Sequence, residues 1–238
     1  MPVTDLARRD QALGADHRTG FSAWGTAVAR NRPYGQRMTI NWSRSLVGQL
    51  TFYWDFHLWP RLAGLTDEEY FWEPAGGCWS LRPTGDGGWR MDRTRPADQT
   101  EPLTTIAWRM THLAVECFES RARAFFSGEG PTMFSPGERI LAAGDLPGTA
   151  ADALDYLERA YLHWRDGVAG LGEAGLLGPL GPAGADYAEE PMAELVLHLN
   201  REAMHHGGEI CLLRDLYRAT GASDRADRLV PRRPPALT

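Results

Sequence analysis

Four stretches of this chain place apolar side chains at intervals of three and four residues, and no stretch convincingly alternates them at two. Residues three and four apart share one face of an α-helix, whereas a half-buried strand needs a period of two. The first stretch runs from about Ser43 to Leu62, with Leu46, Val47, Leu50, Trp54 and Leu58 on the repeat. A second covers about Thr105–Phe126, and a third about Ala150–Leu171, introduced by Thr149 and Asp152 in capping-box spacing. The fourth starts near Pro191, a good first-turn residue, and stops at Gly221, which accepts the left-handed conformation that ends helices. Four long helices can bury their apolar stripes against one another, so the expected fold is all-α, a four-helix bundle.

The connections are long. "LTDEEYFWEP" reads as a short helical turn with Thr66 as N-cap, Glu69 three residues later, and Pro74 as its end. From Gly76 to Pro102 the sequence is full of turn formers and reads as one long loop, a length that is usually functional or disordered. Residues 1–40 read as an N-terminal extension with one helix near Phe21–Ala29, residues 41–221 as the bundle, and residues 222–238 as a Pro/Arg-rich tail.

Composition excludes several function classes. No run of about 18 apolar residues offers a membrane span, and the polar N-terminus lacks a signal-peptide core, so a cytoplasmic protein is expected. A net charge of −6 argues against nucleic acid, whose phosphates need a basic face. Cys78, Cys117 and Cys211 form no CxxC pair and read as small buried apolar residues. The chain has no lysine, so all 25 basic residues are arginine; this excludes a lysine Schiff base or a lysine general base. Abundant arginine, alanine, glycine and proline also point to a GC-rich genome.

The fourth helix carries "HLNREAMHHGGEICLLRDLY" from His198 to Tyr217, unusually polar for a core helix. Leu195, His198, Glu202, His206, Glu209 and Leu213 form a single line at spacings of three and four. Apolar Leu199, Ile210, Leu212 and Leu216 flank it, which predicts that the line faces the bundle interior. An unpaired ionised glutamate there costs several kcal/mol. Two explanations fit the stripe alone: a hydrogen-bonded network with an arginine of another helix, or a metal site built from imidazole and carboxylate four residues apart. The pattern is not HExxH, so a zinc-protease reading fails.

A third metal ligand has to come from elsewhere. His17 lies in the irregular extension, and His57 and His163 sit in aromatic-rich helices. His112 shares a face with Trp108 and Val115 in a helix that is also apolar on the adjoining side, and geometry favours it only modestly over His57.

The "TTIAWRMTHLA" and "HLNREAMHHGGEICLLRDLY" helices, with "LTDEEYFWEP" and "WSLRP" after the first helix, resemble the DinB-like superfamily over roughly residues 45–220. That group of four-helix bundles includes mycothiol-dependent maleylpyruvate isomerases and mycothiol or bacillithiol S-transferases. The resemblance implies a divalent metal, zinc first with nickel or iron next, held by His112, Glu202 and His206. Many members have histidine where this chain has Glu202; the isomerase branch uses glutamate. His205 points about 100° away from His206 and is not a ligand in this mapping. His198, Glu209 and His57 are left as groups that orient a ligand or move a proton, and Arg82, Arg90 and Arg109 as weak candidates for binding an anion.

Two histidines and one carboxylate leave a coordination position open, as catalytic sites do. A free thiol is only about 3% thiolate at pH 7, whereas a metal-bound thiol is deprotonated, a gain of roughly thirtyfold in nucleophile. The alternative occupant is hydroxide for hydrolysis or proton abstraction. By resemblance, an actinobacterial source makes mycothiol the expected thiol. Three readings follow. The first is a metal-dependent thiol S-transferase or thiol-dependent isomerase acting on a small electrophile, as monomer or homodimer. The second is a non-catalytic metal-binding stress or regulatory protein, and the third a metal-free bundle.

Overall fold

The computed structural model describes residues 40–93, 102–127 and 146–221. The helix expected near Phe21–Ala29, His17, and the tail 222–238 lie outside the described residues. Helix α1 begins as Trp42–Tyr53, widens into a π-helical turn over Trp54–Leu58, and closes with Trp59–Leu62. A single turn, α2, spans Asp67–Tyr70. Helix α3 covers residues 106–127: α-helix over Ile106–Thr111, π-helix over His112–Glu119, and short segments to the end. Helix α4 is Ala150–Leu177 and helix α5 is Met192–Ala219, with a 3₁₀ segment Gly181–Tyr187 between them. Among the described residues, no helix is long and apolar enough to cross a membrane.

The starts are set by side chains that satisfy the first free N–H groups. Asn41 Oδ1 accepts from Arg44 N at 2.7 Å, and Thr105 Oγ1 accepts from Trp108 N at 3.2 Å. Thr149 Oγ1 accepts from Asp152 N at 3.1 Å, as the capping-box spacing predicts. Gly221 has φ +67°, the left-handed conformation expected after α5. The third helix was expected to end at Leu171. Regular helix does stop there, because Gly172 adopts φ 62°, but a further helical stretch follows to Leu177.

Helices α1, α4, α3 and α5 pack in a ring, so the bundle is the observed architecture. Its core is filled by Leu50, Trp54 and Leu58 of α1, Leu113 and Phe118 of α3, Leu157, Tyr161 and Trp164 of α4, and Leu199 and Ile210 of α5. Trp54 and Tyr161 stack at 3.8 Å with planes 3° apart, locking α1 to α4. Where α5 crosses α1 the approach needs glycine: a Cβ on Gly207 would lie 2.4 Å from the hydroxyl of Tyr53. Two expected flanking residues are not buried. Leu212 and Leu216 are exposed, because the stripe they border sits at the edge of the α3–α5 seam rather than at its centre.

The long loop after α2 also holds structure that the sequence reading missed. Strands β1, Leu81–Pro83, and β2, Trp89–Met91, pair antiparallel with Arg82 opposite Arg90. Three residues per strand are too few to show a period of two. The turn between them is closed by Thr84 N donating to Gly88 O at 2.7 Å. Trp79 N donates to Leu103 O, and Thr105 N to Trp79 O, each at 2.9 Å, so the strand-like segment docks at the start of α3.

Candidate metal centre

His112 opens the π-helical segment of α3, and Glu202 and His206 lie one turn apart on α5, across the seam. One turn before His112, Trp108 stacks on its ring at 5.2 Å with planes 11° apart. The indole in turn donates Nε1–H to Asp92 O at 2.8 Å, so the residue after β2 fixes the plane against which the imidazole lies. Glu202 Oε2 is 3.0 Å from His206 Nε2 and 4.0 Å from His112 Nε2. The two imidazoles meet edge to face at 4.7 Å. One ligand atom from each of the three residues lies within 4.8 Å of the other two. Donors around a tetrahedral ion sit roughly 3.3 Å apart when each bond is near 2.0–2.1 Å, so small side-chain adjustments suffice.

The outward nitrogens show how the rings are held. His112 Nδ1 is 2.6 Å from Glu116 Oε2, and His206 Nδ1 is 2.8 Å from Glu209 Oε2. Burial alone would raise the Glu116 carboxyl, but hydrogen bonds from His112 and Arg93 outweigh it and hold it below the usual carboxylate value. Glu209 follows the same logic: burial opposes, and His206 and Arg109 win and lower it. Both carboxylates are held ionised and accept, and a ring that donates to them from Nδ1 keeps Nε2 as its ligand atom. A carboxylate behind each histidine is the arrangement that fixes tautomer and raises basicity in metal-ligating imidazoles.

Glu202 is the member with no arginine at ion-pair distance among the described residues. Among the described residues its direct partners are three imidazoles: His206 at 3.0 Å, His198 at 3.7 Å and His112 at 4.0 Å. The 3.0 Å contact between His206 Nε2 and Glu202 is satisfied by an N–H on that nitrogen or by a positive ion held between the two. The donor set, two neutral imidazoles and one carboxylate, suits a divalent ion of the zinc type. The pairing with an arginine of another helix expected as the alternative is also present, but at Glu209, where Arg109 Nε of α3 forms an ion pair with Oε2 at 2.9 Å. The stripe thus divides between the two explanations.

A second cluster, His205, His206 and Glu209, has ligand atoms equally close together. It is the poorer site. The His205 side chain is 64% exposed against 8% for His206, and Glu209 is already committed to Arg109 and to His206 Nδ1. His198 stands at the open end of the stripe, with Nδ1 2.8 Å from Arg201 Nη2. His57 is not brought into the cluster. It is exposed in the π-helical turn of α1, with its ring against Phe52 and Tyr53. His163 bonds Glu119 and Ser127 near the surface.

The arginines expected to bind an anion are occupied. Arg82 donates to Glu73 at 2.7 Å, Asp92 at 2.9 Å and the carbonyl of Cys78 at 2.8 Å, so it is a brace of the hairpin. Arg90 is exposed and reaches Asp92 at 3.2 Å. Arg109 is at the site but pairs with Glu209 and lies over the Trp108 ring at 5.0 Å. The sequence reading missed Glu116. Its signal was the same one that exposed the α5 stripe: it lies four residues after His112. Cys78 and Cys117 are buried and Cys211 is partly so, yet Cys117 is more than filler, since Sγ lies 3.6 Å from His112 Nε2.

A family model described as the DinB superfamily matches residues 57–210. The chain belongs to the DinB superfamily. The matched span runs from the π-helical turn of α1 to Ile210 of α5 and so takes in every residue of the cluster. For this DinB-superfamily chain, neither the curated proteins nor the solved structures give a match.

Proposed function

We propose that this DinB-superfamily chain is a metal-dependent thiol S-transferase or thiol-dependent isomerase, with His112, Glu202 and His206 as the metal ligands. The supporting observation is Glu202, a carboxylate whose described partners are all imidazoles, with Nε2 of His206 at 3.0 Å and Nε2 of His112 at 4.0 Å. A divalent ion held there, zinc before nickel or iron, supplies an acidified thiol as nucleophile at neutral pH. The protein residues have separate tasks. Glu116 and Glu209 hold the two histidines by Nδ1 and keep Nε2 turned inward. Arg93 and Arg109 hold those carboxylates in place from α3 and from the residues after β2. Trp108 closes one side of His112 and keeps water from its ring face. His198 is the stripe imidazole nearest solvent and is placed to pass a proton outward.

The thiol is a separate low-molecular-weight compound of the mycothiol type, and the second substrate a small electrophile. The chain's own cysteines are poor nucleophiles, because burial pushes all three thiols up. The test is elemental analysis of untagged protein followed by thiol conjugation with the metal-loaded form. Near-stoichiometric metal, and conjugation lost in Glu202→Ala and His206→Ala with helicity retained, support the reading. Metal without any thiol chemistry favours a binding or regulatory protein; no uptake of zinc or nickel sinks both.

A further inference from the structure

Among the described residues, Arg121 beside the cluster has no carboxylate at ion-pair distance. Arg121 lies on α3, nine residues after His112 and one turn beyond Cys117. Its Nη1 donates to the carbonyl of Glu116 and to Ser120 Oγ, the latter at 2.9 Å. Its Nε is buried without a hydrogen-bond partner, and Nη2 makes no hydrogen bond among the described residues. No carboxylate of the described residues comes within ion-pair distance of it. Arg82, Arg93 and Arg109, by contrast, each hold a carboxylate. The nearby anions that act on Arg121 are Glu116 and Glu202, and Arg121 in turn acts on His198 of α5.

The unused atoms form one side of the guanidinium. Nε–H and Nη2–H are parallel, and this edge accepts a carboxylate side-on through two N–H···O bonds. Nη1, on the far side, is anchored to the backbone of the same helix, which fixes where the open edge points. A buried N–H left without an acceptor is costly, and Glu116 and Glu202 act on Arg121 only from beyond ion-pair distance, so the position is explained when an anion completes it.

We propose that Arg121 is the anion-recognition residue of this site and that at least one small molecule brought to His112, Glu202 and His206 carries a carboxylate. The proposal rests on the reading of these three residues as a ligand-binding centre. It identifies the substrate class: a carboxylate placed a short chain away from the sulfur or from the electrophilic carbon. A thiol cosubstrate and an electrophile are both possible bearers of that group, and the recognition chemistry is the same.

The experiment uses the full chain, cobalt-loaded and metal-free. Titration calorimetry compares 3-mercaptopropionate with its methyl ester, and maleate with its dimethyl ester, while the cobalt–thiolate absorption reports sulfur binding. At least one acid binds more tightly than its ester by about ten- to hundredfold. Arg121→Gln removes that preference, and Arg121→Lys, lacking the fork, restores little of it. Preference in the thiol pair assigns the carboxylate to the thiol, and preference in the maleate pair assigns it to the electrophile. An Arg121-dependent preference that persists without metal, with no cobalt–thiolate band, keeps this proposal and removes the thiol-activating function. Acid and ester binding alike, or a preference unchanged in Arg121→Gln, overturns it. Metal content and thermal midpoint of the variants establish that the site is otherwise intact.

Discussion

Glu202, more than either histidine, decides what the site is, because an arginine network would leave it paired and a metal site leaves it to the ion. Its described partners are imidazoles only, so Glu202→Ala and His206→Ala should each lose near-stoichiometric metal while circular dichroism stays helical. The carboxylates behind the histidines act at one remove. Glu116→Ala and Glu209→Ala should weaken zinc affinity by about 10–100-fold, read by competition with a chromophoric chelator. Full affinity in both would mean that the histidines need no orienting partner. Burial raises the thiol of Cys117, and Glu202 and Glu116 add to it, so at pH 8 it holds less thiolate than a free cysteine. Native protein should therefore label slowly with a thiol reagent at Cys117, and unfolded protein rapidly, followed by mass spectrometry.

At the scale of elements, two features hold the site's helices in place. Glu69 of α2 and Arg214 of α5 form a buried two-point pair, with Nε to Oε1 at 2.7 Å and Nη2 to Oε2 at 2.9 Å. Arg214 Nη1 also donates to the carbonyls of Arg61 and Ala63, so one side chain ties α5 to the end of α1 and to α2. Removing one partner leaves a buried charge: Glu69→Ala should cost about 3–5 kcal/mol in chemical denaturation. The double variant Glu69→Leu with Arg214→Met should lose less than the sum of the single changes, since no charge is then stranded. Capping is a smaller effect. Thr149→Ala should cost about 1 kcal/mol, a fall in the thermal midpoint of about 2–4 °C.

For the whole molecule, an ion held by His112, Glu202 and His206 would be a ligand shared by α3 and α5, so its removal should loosen their packing. A metal present at 100 times its dissociation constant stabilises a folded protein by about 2.7 kcal/mol if it binds only the native state. Chelation should therefore lower the thermal midpoint by about 5–10 °C. Glu202→Ala should show no such dependence. A midpoint indifferent to metal in the wild type would argue that the α3–α5 seam stands on its core contacts alone.

The four helices were legible because apolar spacing, caps and terminal glycine are local properties that neighbouring residues determine together. Thr149, Pro191 and Gly221 mark their helix ends from sequence for that reason. The Glu202–His206 pair was legible too, since one turn of helix brings the two onto one face. What could not be read is what crosses between elements. The hairpin of Leu81–Pro83 and Trp89–Met91 was hidden by its shortness and depends on docking to α3. His57 and His112 look alike along the chain, and only the packing of α3 against α5 brings His112 to Glu202 and leaves His57 exposed. Arg82, Arg109 and Arg121 are equivalent as letters. Tertiary structure separates them, giving the first two carboxylate partners and leaving the third an open edge, because a charge is satisfied by what lies near it in space.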